Sequence, residues 1–86
     1  MDFFIRSMEI SSYIPGRVRL YNKELIGNEE LAEKIRLSLS AFSELTEVNV
    51  NTISGSVLIL YDIESLRKNK DLKKVEEYIM LNARRK

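Results

Sequence analysis

Apolar and polar residues alternate over residues 3–14. Phe4, Met8, Ile10 and Ile14 fall on one parity, with Arg6 and Ser12 as exceptions, and Phe3, Ser7, Glu9, Ser11 and Tyr13 fall on the other. A period of two predicts a half-buried strand. Pro15-Gly16 joins a fixed φ to a permissive one, which suits a type II turn or a sharp bend. Arg17-Val18-Arg19-Leu20-Tyr21 resumes the alternation, with Val18 and Leu20 inward and the arginines outward. Residues 22–27 read as a loop. The period then lengthens: Leu31, Ile35, Leu39 and Phe42 make one apolar helical face, predicting a helix over 28–43. Asn28 is its expected N-cap, and Glu29 and Glu30 suit the positive end of the helix dipole.

Thr46–Asn51 alternates again, with Val48 and Val50 inward, and Thr52-Ile53-Ser54-Gly55 is the expected turn into Ser56–Asp62. Gly55 supplies positive φ there. Val57, Ile59 and Tyr61 take one face of that last strand, while Leu58 and Leu60 take the other. A strand apolar on both faces is central in its sheet. Glu64–Lys70 reads as polar connection or a short helical turn. Asp71 is the expected cap of a final helix facing inward through Leu72, Val75, Ile79 and Ala83.

The order ββαββα predicts an α+β, ferredoxin-like sandwich: one antiparallel sheet with two helices on one face. From Arg17 onward the chain is a split β-α-β-β-α unit lacking its last strand. A strand at residues 4–14, folded back at Pro15-Gly16, is expected to fill that vacant edge. The rival is one long strand over residues 8–21, kinked at Pro15-Gly16.

Composition narrows the chemistry. Eighty-six residues make one domain, 1–86, ending in a basic tail at 84–86. A chain of this size buries about 60–65% of its unfolded surface, so its stability is modest. Cys and His are both absent, which removes disulfides, thiolate and imidazole metal ligands and the commonest general base. The net charge of +1 gives no global attraction to nucleic acid. Apolar runs such as Val57–Tyr61 are too short to cross a bilayer, and the first residues lack a basic n-region and a cleavage site, so no signal peptide is expected.

Tyr13-Ile14-Pro15-Gly16-Arg17-Val18-Arg19-Leu20, the Leu31/Ile35/Leu39 helix, and Val48–Asn51 with Gly55–Asp62 resemble the heavy-metal-associated superfamily over roughly residues 8–85. More narrowly, the chain is similar to a cysteine-free branch with a Pro-Gly-Arg-x-Arg element on the first strand. The resemblance implies a module found in, or beside, metal-transporting P-type ATPases, some of them in bacterial iron-storage compartments (ferrosomes). It further implies a cytoplasmic setting, peripheral to a membrane or a membrane-bounded compartment. Where metal-carrying relatives place Met-x-Cys-x-x-Cys, this chain reads Asn22-Lys23-Glu24-Leu25-Ile26-Gly27-Asn28. Soft-metal transfer therefore does not carry over. Glu24, Asn28 and Glu29 are weak candidates for a hard ion, against a plainer role in helix-start electrostatics. No cofactor is expected.

Arg17 and Arg19 share a parity, so their guanidinium groups emerge on one sheet face about 7 Å apart. Such planar forks suit carboxylate or phosphate. The plainer alternative is cross-strand pairing with Glu9 or Glu47, which contributes little. Leu58 and Leu60 are expected beside Arg19 and Tyr21, an apolar centre with an Arg and Tyr surround that has an interface composition. Arg17, Arg19, Tyr21, Leu58 and Leu60 are thus the candidate partner-binding residues, with Pro15, Gly16 and Gly55 as turn residues. The partner is expected to be a protein, a membrane metal-transporting ATPase among the candidates. A dimer seam and cover by the chain's own Phe3 and Ile5 are the alternatives. RNA binding finds no pair of stacking aromatics on this sheet. An acylphosphatase-like echo in Gly16-Arg17 and Asn51 lacks the glycine-rich loop, so no enzyme is expected.

Overall fold

The computed structural model describes residues 8–83. The expected strand content of residues 3–7 and the basic tail at 84–86 lie outside the described residues. Four strands form one antiparallel sheet: β1 (Glu9–Ile14), β2 (Arg17–Tyr21), β3 (Leu45–Asn51) and β4 (Ser56–Tyr61). Three α-helices accompany them: α1 (Glu29–Ser40), α2 (Ile63–Lys68) and α3 (Lys70–Ala83), with a 3-10 turn at Lys23–Leu25. The sheet order is β1-β2-β4-β3. That is the ferredoxin-like arrangement, with the N-terminal strand occupying the edge that a last strand would fill. The rival of a single kinked strand falls, because β1 and β2 pair antiparallel with Ile14 opposite Arg17.

Pro15 and Gly16 are the two residues of that hairpin turn, and Gly16 takes φ 92°, a value that penalises any Cβ. The turn is anchored beyond its own hairpin: the Gly16 carbonyl accepts from the Tyr61 amide at 3.0 Å. At the sheet's other end, Gly55 (φ 75°) is buried against the loop that follows β2. Its carbonyl accepts from the Asn22 amide at 2.9 Å, and a Cβ at this position would stand 2.8 Å from the Asn22 carbonyl oxygen.

Both long helices cover one sheet face, α1 over β3 and α3 over β1. Beneath them lie Ile10, Val18, Leu20, Val50, Val57, Ile59 and Tyr61, packed against Ala32, Ile35, Leu39, Leu72 and Ile79. The expected apolar parities of β2, β3 and β4 hold, as does the Asn28 cap, whose side chain accepts from the Leu31 amide at 3.0 Å.

Several expectations are corrected. Ile14 does not face the core: it is 58% exposed. The register shifts between Ile10 and Ser12, so Ser11 is an extra residue in β1 and every later side chain changes face. Tyr13, on the parity expected to be polar, points to the core instead and packs against it. The first long helix ends at Ser40, short of Phe42. Of the two readings of Glu64–Lys70, polar connection or short helical turn, the helical one holds: it forms most of α2, capped by Asp62, whose carboxylate accepts from the Ser65 amide at 3.0 Å. The cap of α3 is Asn69 and not Asp71: the Asn69 side-chain oxygen accepts from the Asp71 and Leu72 amides at 3.1 and 3.3 Å. Asp71 sits in the first turn, where its charge still favours the helix dipole.

The two turn glycines should respond differently to alanine. At Gly16 the added Cβ meets nothing nearer than 3.6 Å, so only the backbone penalty of about 1 kcal/mol applies. At Gly55 the same penalty adds to a collision with backbone, for about 3 kcal/mol in all. Thermal unfolding should show Gly16→Ala lowering Tm by about 5 °C and Gly55→Ala by about 15 °C. Equal losses would refute the close approach of Gly55 to Asn22.

Candidate functional site: the open sheet face

With the helices on one side, the other side of the sheet is left without cover from any described element. Its residues follow directly from strand register. Ile14, Arg17, Leu60 and Glu47 form one row across β1-β2-β4-β3. Ser12, Arg19, Leu58 and Asn49 form the next, and Glu9, Tyr21, Ser56 and Asn51 the third. All five candidate partner-binding residues, Arg17, Arg19, Tyr21, Leu58 and Leu60, therefore lie together. The arginines are exposed; Tyr21, Leu58 and Leu60 are half-buried. Displacement of Ile14 by the bulge enlarges the apolar part of this face.

The plainer alternative, cross-strand pairing of the arginines with Glu9 or Glu47, is not formed. Among the described residues neither Arg17 nor Arg19 has an ion pair. Register explains this for Glu47: the strand carrying Leu60 stands between it and Arg17, about 10 Å from strand to strand. Glu9 lies one row beyond Arg19, opposite Tyr21. Arg17 and Asn51, the pair behind the acylphosphatase echo, lie two rows and two strands apart. Asn51 is moreover committed to its own turn, accepting from the Ile53 and Ser54 amides at 2.8 and 3.2 Å. Cover by Phe3 and Ile5 lies outside the described residues.

The loop Asn22–Asn28 is closed. Its 3-10 turn is capped by the Asn22 side chain, which accepts from the Glu24 amide at 2.8 Å, and Leu25 is driven fully into the core. The Gly27 amide donates to the Thr52 carbonyl at 2.8 Å, and the Thr52 hydroxyl donates to the Glu29 carboxylate. Of the hard-ion candidates, Asn28 caps α1 and Glu29 holds Thr52, while Glu24 is exposed. Among the described residues, no group of three or more Asp or Glu side chains could hold a metal ion.

On the covered side the structure contains a polar cluster that sequence reasoning missed. Glu76 of α3 is only 4% exposed. Its carboxylate accepts from the Tyr61 hydroxyl at 2.6 Å and the Tyr13 hydroxyl at 3.2 Å. Arg67 of α2 donates through Nε at 2.9 Å and through Nη2 at 3.4 Å, a forked contact. Burial opposes the charge on Glu76, but the hydrogen bonds from Arg67, Tyr61 and Tyr13 outweigh it and hold the carboxyl below its usual range. Burial, aided by the bond to Glu76, pushes the Tyr61 hydroxyl well above the ordinary tyrosine value. The bond to Glu76 likewise raises Arg67. An apolar cleft lined by Leu39, Leu45, Leu66, Val75 and Ile79 adjoins the carboxylate. A sequence signal existed: Glu76 follows Leu72 by four positions and precedes Ile79 by three, inside the apolar stripe of α3.

Fold and site together describe a small α+β module with one open, arginine-bearing sheet face and a closed, cysteine-free loop after β2. The family model for heavy metal associated domain 2 matches residues 1–82, and the chain belongs to that family of metal-associated modules. No curated protein and no solved structure matches it. No helix among the described residues is long and apolar enough to cross a membrane.

The Glu76 cluster makes stability depend on pH with a definite sign. A depressed carboxyl contributes stability above the unfolded value of about 4.3 and loses it as pH falls through the lower folded value. The raised Tyr61 hydroxyl contributes below about pH 10 and loses its contribution as pH rises further. Glu76→Gln should cost about 2–3 kcal/mol at pH 7. In urea unfolding, the gap between wild type and variant should narrow as pH falls below about 4. A gap independent of pH would show that the charge on Glu76 is not what holds α3.

Proposed function

We propose that this chain is a non-enzymatic interaction module that docks a protein partner through the open sheet face bearing Arg17 and Arg19. Tyr21, Leu58 and Leu60 form the apolar body of the contact, and the two guanidinium groups engage carboxylates of an acidic partner segment. The reading extends to setting: the partner is a membrane-bound, metal-transporting P-type ATPase or a protein of a bacterial iron-storage compartment. The module itself sits in the cytoplasm, against that membrane. Membership of a metal-associated family, without thiolate or imidazole in its ligand loop, supports a role beside metal transport over metal carriage.

One observation carries the reading. Two exposed arginines stand beside half-buried leucines on a sheet face that no described element covers, and among the described residues no carboxylate neutralises them. An isolated exposed arginine is ordinary. A pair at fixed spacing on a rigid strand, over aliphatic side chains, is a preorganised acceptor for an acidic, partly apolar surface.

The test is affinity capture of the tagged protein from its native cells, membranes included, compared with Arg17→Ala/Arg19→Ala. Both side chains are exposed, so the variant should unfold within about 0.5 kcal/mol of wild type. Wild type should recover a P-type ATPase or compartment proteins, and the variant at least about tenfold less, the loss expected for removing charge-assisted contacts of about 1.5–3 kcal/mol. Equal recovery by a folded variant would remove the arginines from the mechanism.

A further inference from the structure

The open face is self-complementary, and we infer that its partner includes a second copy of this chain, packed face to face about a twofold axis running along β4. This inference rests on reading the face as a docking surface, and not on the identity of any other partner. The argument is one of register. In the row Ile14–Arg17–Leu60–Glu47, the cation and the carboxylate stand one strand to either side of β4. A twofold axis lying in the interface along β4 carries β2 of one copy over β3 of the other. Arg17 then meets the partner's Glu47, and symmetry repeats the pair. Leu60 meets Leu60 of the partner copy, and Leu58 meets Leu58, at the centre. Arg19 falls opposite Asn49 of the partner copy, an acceptor through its side-chain carbonyl, and Tyr21 falls opposite Asn51.

The alternative twofold axis, across the strands through the Arg19–Leu58 row, places Arg19 on its own copy. Like charges directly opposed are destabilising, so charge selects the axis along β4. Ile14 lies one strand outside Arg17 and would flank the Arg17–Glu47 pair on its solvent side, where an apolar neighbour strengthens the pair by excluding water.

Size limits the strength. The axis along β4 overlays three strands, β2, β4 and β3, so three rows make a patch of roughly 20 by 15 Å, or about 300 Å² from each copy. The sum of about 600 Å² is about half the roughly 1,200 Å² of stable complexes. The dimer is therefore weak, with Kd on the order of 10–500 µM, and a larger acidic partner displaces it readily.

Sedimentation velocity of the full chain from about 5 µM to 1 mM tests this, at low and high salt, on wild type and charge-reversal variants. Wild type should show a concentration-dependent monomer–dimer equilibrium that weakens with salt. Arg17→Glu alone and Glu47→Arg alone should each raise Kd by about tenfold or more, because each sets like charges together twice. An equimolar mixture of the two variants should form a heterodimer with both pairs restored, and the double variant should dimerise as wild type does. Arg19→Ala, which removes a cation needed for the acidic partner but not one that faces a carboxylate here, should change Kd by no more than about threefold. Partner capture and self-association thereby fail separately. A monomer throughout the range would assign the face to the chain's own N-terminal residues or to another protein, and would overturn the inference. So would single reversals without effect, or a double variant that stays dissociated.

Discussion

The carboxylate of Glu76 is the point on which the covered half of this fold depends. It receives hydrogen bonds from β1 through Tyr13, from β4 through Tyr61 and from α2 through Arg67, while itself belonging to α3. A buried charge is tolerated only when its lone pairs are filled, and among the described residues no buried side-chain polar atom is left without a partner. The cluster therefore fixes where α3 lies over the sheet in a way that apolar packing alone does not. Leucine and isoleucine contacts can slide by a fraction of a turn at modest cost, whereas a carboxylate with three named donors cannot. Arg67 is half-exposed, so its charge keeps much of its hydration and the pair avoids the full penalty of burying two ions.

That arrangement is possible only because of the bulge in β1. Without the extra residue at Ser11, Tyr13 would point to the open face and Ile14 to the core, and Glu76 would lack one donor. One inserted residue thus changes both sides of the sheet. It brings a tyrosine hydroxyl to the buried carboxylate, and it moves an isoleucine next to Arg17 on the open side. The polarity of the two faces is coupled through backbone register, and the edge strand that completes the sheet is also the one that sets this coupling.

The broad plan was legible because it rests on strong local signals. Period-two alternation gave the strands. The Leu31/Ile35/Leu39 spacing gave the first long helix. Apolar residues on both faces of Ser56–Tyr61 correctly marked a central strand, since β4 lies between β2 and β3. The vacant edge was inferred from element order and is filled by Glu9–Ile14. What escaped depends on features without a local signature. A bulge costs one residue and leaves composition unchanged, so the parity of Tyr13 and Ile14 was read backwards. Asn69 and Asp71 are both good caps, and only the backbone at the break between α2 and α3 decides between them. Glu76 was legible in position, inside an apolar stripe, but its donors come from residues 9 to 63 positions away. The open-face residues were brought together as expected because sheet faces follow from parity once register is known.

The loop after β2 is closed by hydrogen bonds and by burial. A transfer site for a soft ion must present ligands on a loop that can open to a partner and exchange them. Here the equivalent loop is fastened at both ends to the β3–β4 turn, Asn22 to Gly55 and Gly27 to Thr52, and its middle is held by Leu25 in the core. Two cysteines placed in this loop would meet a backbone already committed to other hydrogen bonds. The loop is thus held in place, while the two exposed arginines stand on the open sheet face. Preorganised strands hold Arg17 and Arg19 at a spacing that costs little further entropy on binding, which is the property a docking surface requires.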